Sequence, residues 1–183
     1  DCTSLTQPMS ILPILDLTWA YHECYCQMFW GCTSLKSAPE LPATTLATNC
    51  YSWMFRESWI TETPILPATT LVPWCYDGMF SNCNSLIKAN SLPATTATER
   101  CYSQMFEECA NLTTWPSILP ATTLAGDCYM SMFQWCSSLT NAPILPATTL
   151  ADYCYARMFA GCTSLTTSPE LPATTLEYGC YQY

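Results

Sequence analysis

The stretch that decides the fold is Cys-Tyr-Ala-Arg-Met-Phe-Ala-Gly-Cys-Thr-Ser-Leu at residues 154–165, because it recurs along the chain. Its unit Cys-Tyr-x-x-Met-Phe starts at Cys50, Cys75, Cys101, Cys128 and Cys154, with a variant at Cys24 and a truncated copy at Cys180. A second unit, Leu-Pro-Ala-Thr-Thr, occurs once per period, with its prolines at Pro42, Pro67, Pro93, Pro120, Pro146 and Pro172. Self-similarity at a fixed period is typical of repeat proteins, in which each unit packs only against its neighbours.

The apolar positions of the repeat predict its secondary structure. Numbered from the first Cys, most copies have Cys at 1, Tyr at 2, Met at 5, Phe at 6, Cys at 9 and Leu at 12. Positions 1, 2, 5, 6 and 9 fit one face of a two-turn helix. The Pro-bounded positions 13 to 18 are typical of a short extended strand. We therefore predict an α/β solenoid: a leucine-rich-repeat-like, right-handed array of coils of about 26 residues, each with one short strand and one short helix.

The repeats extend over the whole chain, so residues 1–183 are predicted to form a single repeat-array domain. Residues 1–5 match the tail of a repeat, as in residues 161–165, and residues 180–183 open a further copy. We expect the chain to be a fragment of a longer array.

Two repeats are predicted to be weak points of the array. The second is one residue short and has Ser58 and Thr61 where Cys and Leu are expected. The third has Ala97 in place of a Leu. Because the stability of a repeat array is close to a sum over neighbouring units, these two coils should open first.

The segment Met-Phe-x-Gly-Cys-Thr-Ser-Leu at residues 158–165, followed by a Leu-Pro step, resembles the BspA-type (Treponema-type) bacterial leucine-rich repeat. The resemblance covers essentially the whole chain in six copies. It implies a secreted or surface-attached protein, and some members of that family are adhesins or host-protein binders. The chain departs from the family pattern at position 1, where it has Cys and the family usually has an aliphatic residue.

Composition excludes several classes of function. Five basic residues against fourteen acidic ones give a net charge of −9, so little is present to neutralise phosphates and we expect no nucleic-acid partner. No run of about 18 apolar residues occurs, so we expect no membrane insertion. With one histidine, His22, and no recurring Ser, His and Asp grouping, we predict no enzyme activity, no catalytic residue and no cofactor.

The fourteen cysteines allow two interpretations. In a helix, positions 1 and 9 would lie about 12 Å apart, whereas a disulfide needs Cα atoms within about 7 Å, which favours buried thiols. A bridge between Cys26 and Cys50 would nevertheless restore pairing, because Ser58 leaves Cys50 without a partner in its own repeat. No Cys-x-x-Cys pair occurs, so no metal site is expected.

The copies differ mainly at positions 3, 4, 7, 8, 10, 13 to 15, 17 and 24 to 26, and six of the seven tryptophans lie there. On a helical wheel, positions 4, 7 and 8 are opposite the buried face, so the indoles should project outward. Trp and Arg dominate binding hot spots, whereas the alternative is that the indoles simply fill grooves between coils. The predicted binding residues are Trp30, Trp53, Arg56, Trp59, Trp74, Trp135 and Arg157.

The sequence thus predicts a non-enzymatic recognition or adhesion module, extracellular or at the cell surface, that binds a protein or a glycan. The alternative is a structural spacer or fibre module that associates end to end with further copies. Leu-Pro-Ala-Thr-Thr is similar to the sortase signal Leu-Pro-x-Thr-Gly, but its repetition favours a structural corner. We expect the hydroxyls of pairs such as Thr44-Thr45 and Thr148-Thr149 to cap backbone carbonyls there.

Overall fold

The computed structural model of the chain describes residues 4–6, 10–12 and 23–182, and in these ranges it has neither a helix nor an extended strand. The described backbone instead runs through seven turn segments, at residues 23–31, 48–57, 73–82, 99–108, 126–135, 152–161 and 178–181. The predicted α/β solenoid with a helix in every repeat is therefore wrong. No helix in the described ranges is long and apolar enough to cross a bilayer.

Backbone hydrogen bonds explain why the turn segments are not helical. The N–H of Asp77 donates to the carbonyl of Trp74, three residues earlier, at 3.3 Å. The N–H of its neighbour Tyr76 donates instead to the carbonyl of Cys101 in the next coil, at 3.1 Å. This alternation continues along the segments, whereas an α-helix would bond each N–H to the carbonyl four residues earlier. About half of the donors thus close turns and the other half join neighbouring coils.

Every fourth residue of a turn segment has a left-handed backbone. In the third segment these residues are Trp74, Gly78 and Asn82, with φ of 62°, 58° and 57°. The turn from Tyr76 to Met79 has Gly78 in third place, the position at which a type II turn needs positive φ. Because the period is four, two inward residues alternate with two outward ones. The complete described set is Glu23, Gln27, Gly31, Asn49, Trp53, Glu57, Trp74, Gly78, Asn82, Arg100, Gln104, Glu108, Asp127, Ser131, Trp135, Tyr153, Arg157, Gly161 and Gly179.

The inward columns predicted from the repeat are confirmed. In the central coils Cys, Tyr, Met and Phe at positions 1, 2, 5 and 6, and Cys at 9, are buried. The tyrosines form a continuous stack, as in Tyr76 and Tyr102, whose ring centroids lie 5.8 Å apart with planes 6° from parallel. A second stack consists of phenylalanines, as in Phe80 and Phe106 at 5.6 Å. Each coil therefore buries its apolar residues against the same residues of the next coil.

The short second repeat keeps its interior by shifting one residue. Ile60, not Thr61, takes the buried Leu position, and its side chain is fully buried. The N–H of Thr61 donates to the carbonyl of Lys36, which aligns Thr61 with position 13. The missing residue therefore falls between Ser58 and Ile60, and the prediction that Thr61 replaces the Leu is wrong. Ser58 is buried, with its Oγ 3.6 Å from Cys83 Sγ.

On the return side of the described coils, the strand-like pairing between neighbours is limited to isolated parallel bridges. Lys88 bridges to Glu62 on one side and to Thr114 on the other. The remaining bridges are Ile11–Glu40, Thr96–Thr123 and Ile118–Ile144. Proline has no N–H to contribute to a ladder, so the Pro-bounded segments do not lengthen into strands.

All thirteen described cysteines are free thiols, while Cys2 lies outside the described residues. The suggested bridge between Cys26 and Cys50 is therefore not formed. Position-9 thiols donate to phenylalanine carbonyls of the preceding coil, as Cys109 does to Phe80 at 3.1 Å. Of the two interpretations of the cysteines, the buried thiol is the one that the structure adopts.

Candidate recognition surface

The outward residues of the turn segments form one surface, which we call the outer face. It consists of positions 4, 7 and 8 together with the residue just before each first Cys. Because the between-coil hydrogen bonds keep neighbouring coils in register, equivalent positions lie beside one another. The copy-to-copy variation noted in the sequence at these positions is thus displayed as columns on the outer face.

Two tryptophans of the outer face lie flat against glycines of the next coil. A Cβ built on Gly78 would stand 2.2 Å from the ring of Trp53, and one on Gly161 would stand 2.2 Å from the ring of Trp135. Each ring therefore occupies the space that a side chain would need. One face of each of these two indoles therefore fills space between coils, as the alternative interpretation expects.

Two arginines of the outer face lie against tryptophan rings. The Arg56 guanidinium lies 5.0 Å from the centroid of Trp30 and 4.8 Å from that of Trp53. Arg100 lies 4.2 Å from the ring of Trp74. At these distances the ring quadrupole attracts the cation. The structure thus brings Trp30, Trp53 and Arg56 together in one cluster.

The other predicted binding residues lie apart from that cluster. Trp59 is 48% exposed but follows its turn segment, and Lys36 Nζ lies 4.3 Å from its ring. Trp135 and Arg157 are exposed in the C-terminal half, where Trp135 retains 54% of its accessible surface. Trp115, another tryptophan at a variable position, turns inward and packs edge-on against Phe133 with centroids 4.7 Å apart.

Sequence reasoning missed a polar groove in the C-terminal half of the outer face. The groove has a volume of about 390 Å³, and residues of four successive coils line it. Its polar lining comes from Gln104, Glu107, Ser131, Gln134, Tyr153, Arg157 and Gln182. Apart from Arg157, these residues belong to no motif. The one signal in the sequence was that all but Gln182 share positions with the tryptophans of other copies.

Hydrogen bonding orients one wall of the groove. Gln104 Nε2 donates to a carboxylate oxygen of Glu107 at 2.8 Å. Burial and the neighbouring Glu108 carboxylate raise the pKa of Glu107 above its ordinary value. On the opposite wall, the backbone N–H of Arg157 donates to the carbonyl of Gln182.

A buried carboxylate lies beneath the N-terminal half of the outer face. Asp77 occupies position 3, where the neighbouring coils have buried Ser52 and Ser103. Its Oδ1 is 3.8 Å from an Arg100 nitrogen, too far for a hydrogen bond. Burial raises the pKa of Asp77 to about 6, although the Arg100 charge acts in the opposite direction.

The six threonine pairs of the Leu-Pro-Ala-Thr-Thr units lie within the described residues, and both members of every pair are exposed. Pairs such as Thr44-Thr45 and Thr148-Thr149 have no hydrogen bond from their hydroxyls to the described protein. The expectation that these hydroxyls cap the corner is therefore wrong. The corner depends on proline geometry and on the buried Leu and Ala that flank the pairs.

Among the described residues, no three His, Cys, Asp or Glu side chains converge in a way that could hold a metal ion. Comparison with protein-family models, with curated proteins and with solved structures finds no match for the chain. The resemblance to BspA-type repeats consequently stays a prediction. The outer face must be interpreted from its own chemistry.

Proposed function

We propose that the protein is a non-enzymatic recognition module, extracellular or at the cell surface, that binds a protein or a glycan through the outer face. The observation that carries the proposal is a constant backbone beneath variable side chains. Position 4 has Gln27, Trp53, Gly78, Gln104, Ser131 and Arg157 in successive coils. These six residues, of five different types, have φ values between 53° and 58°.

The hydrogen bonding of the turn segments accounts for this constancy. The left-handed Trp53, for example, donates its N–H to the carbonyl of Asp77 in the next coil at 2.9 Å. The inward residues on either side of it are buried in the Tyr and Phe stacks. Different outward side chains are therefore carried on the same backbone, and a preorganised surface loses little entropy on binding.

Exposed aromatic and cationic groups supply the contacts. Trp30 and Trp135 keep a substantial part of their ring surface in solvent. Arg157 is exposed as well. Large aromatic side chains and arginine are the residues that most often dominate the binding energy of an interface.

The test compares two triple variants on arrays of immobilised glycans and of extracellular proteins. The first combines Trp30→Ala, Gln134→Ala and Arg157→Ala. Trp53 and Trp135 are left in place because their rings also pack on Gly78 and Gly161, and the loss of either ring would disturb folding.

The matched control changes three exposed isoleucines of the return side: Ile65→Ala, Ile118→Ala and Ile144→Ala. We expect the outer-face variant to lose the array signals of the parent chain and the control to retain them. Unchanged binding by the outer-face variant, or loss only in the control, would overturn the proposal.

A spacer or fibre module is the second candidate, and a feature of the last coil favours it. A largely apolar cavity of about 310 Å³ opens there, between Met158, Phe159, Leu171 and Tyr181. A second copy could cover this cavity, and sedimentation equilibrium would then show a mass that rises with concentration. A monomer mass at every concentration would count against this role.

A further inference from the structure

We propose that the polar groove of the C-terminal half binds a neutral sugar unit of a glycan. This inference rests on the function proposed above and specifies its ligand. The groove is comparable in size to small-molecule sites, which usually enclose a few hundred cubic ångströms.

Three groups lining the groove have no side-chain partner within the described part of the chain. They are the Ser131 hydroxyl, the Gln134 amide and the Arg157 guanidinium. Ser131 is 4% exposed, so its side chain has little room to move. Such groups can exchange their hydrogen bonds with water for hydrogen bonds with a ligand.

The N-terminal half of the outer face contrasts with this arrangement. There, Arg56 contacts two tryptophan rings and also pairs with Glu57 at 3.3 Å. Arg100 contacts Trp74 and lies near Asp77. These cations already have partners in the protein, whereas Arg157 has none among the described residues.

The mixture of donors and acceptors selects the class of ligand. An amide offers both donors and an acceptor, a hydroxyl does the same, a carboxylate accepts and a guanidinium donates. Glu107 and Arg157 place one charge of each sign in the groove. An anion would meet Glu107 and a cation would meet Arg157, so a neutral polyhydroxyl ligand fits both walls. The ring of Tyr153 adds an apolar surface against which the C–H face of a sugar can pack.

The experiment uses NMR titration of the ¹⁵N-labelled full chain with methyl glycosides of glucose, galactose and mannose. Glucuronic acid and glucosamine serve as the charged counterparts. We expect at least one neutral glycoside to shift the amide signals of Gln104, Ser131 and Gln134, with weaker effects from both charged sugars. Gln134→Ala should raise the Kd about tenfold, the effect of losing one hydrogen bond. Asn141→Ala, which removes an exposed amide side chain outside the outer face, should leave the Kd unchanged.

Preferential binding of a charged sugar, or no shift at these three residues with any neutral glycoside, would overturn the inference. If array proteins still bind in a manner that requires Trp30, the sugar assignment fails while the recognition function stands. If no array signal depends on the outer face, the function itself fails.

Discussion

Replacing Asp77 by Ser should stabilise the protein at neutral pH. The side chain is 2% exposed, and its carboxyl pKa is about 6 against an ordinary value of 3.8. That difference corresponds to a cost of about 3 kcal/mol for holding the ionised group in the folded chain. Serine suits the site, because Ser52 and Ser103 occupy the same position in the neighbouring coils and are buried.

The pH dependence follows from the direction of the shift. Between about pH 4 and pH 6 the folded chain binds more protons at Asp77 than the unfolded chain does. The contribution of Asp77 to the stability of the parent chain therefore falls as the pH rises through this range. Above pH 7 the cost is complete, and below pH 4 it disappears. The gain from Asp77→Ser should be about 3 kcal/mol at pH 8 and close to zero at pH 4.

Loss of the contact with Arg100 does not reverse this gain. Arg100 stays 4.2 Å from the Trp74 ring centroid, and 23% of its side chain remains exposed, so it is not left as an isolated buried charge. Urea unfolding of both proteins from pH 4 to pH 8 measures the difference. Asp152→Ser, at an exposed carboxylate, serves as the control and should show no such gain. A less stable Asp77→Ser protein at pH 8, or a difference independent of pH, would refute the reasoning.

Three further experiments test the packing. Gly31→Ala should cost about 1 kcal/mol for left-handed strain alone, and Gly161→Ala should cost more, because the new Cβ would overlap the indole of the preceding coil. Urea unfolding measures both costs, and equal ones would contradict the glycine–indole contact. Tyr102→Phe should stabilise the protein by about 1 kcal/mol in the same assay, because the Tyr hydroxyl is buried without a hydrogen-bond partner among the described residues. A clear loss of stability would show that this hydroxyl does have a hydrogen-bond partner. Burial raises the pKa of the Cys83 thiol to about 12, whereas Cys26 is only partly buried. A thiol reagent at pH 8, followed by peptide mapping, should therefore modify Cys26 well before Cys83. Comparable rates would show that the coil stack is open.

The inward side of the repeat could be predicted from the sequence, but its backbone could not. Positions 1, 2, 5, 6 and 9 fit a helix almost as well as a period of four, since over two turns the two periods diverge by only about 80°. A signal against the helix was present in Gly31, Gly78 and Gly161, with Asn49 and Asn82 at matching positions. These residue types tolerate left-handed φ and are poor in helix interiors.

The candidate site could be predicted only in part. Indoles such as Trp30 and Trp135 stand out in a sequence, and the structure places both in solvent. The pairing of Trp53 with Gly78 could not be inferred before the register of neighbouring coils was known. The groove was missed because Gln134 is an ordinary polar residue, which gains significance only from the Arg157 beside it in the next coil.

Hydrogen-bond scalar couplings between amide nitrogens and carbonyl carbons test the alternating backbone most directly. Both the constant interior and the fixed outer face depend on this backbone. We expect couplings from the Phe80 amide to the Met105 carbonyl and from the Met79 amide to the Tyr76 carbonyl. A coupling from the Phe80 amide to the Tyr76 carbonyl, four residues earlier, would show a helix and contradict the account.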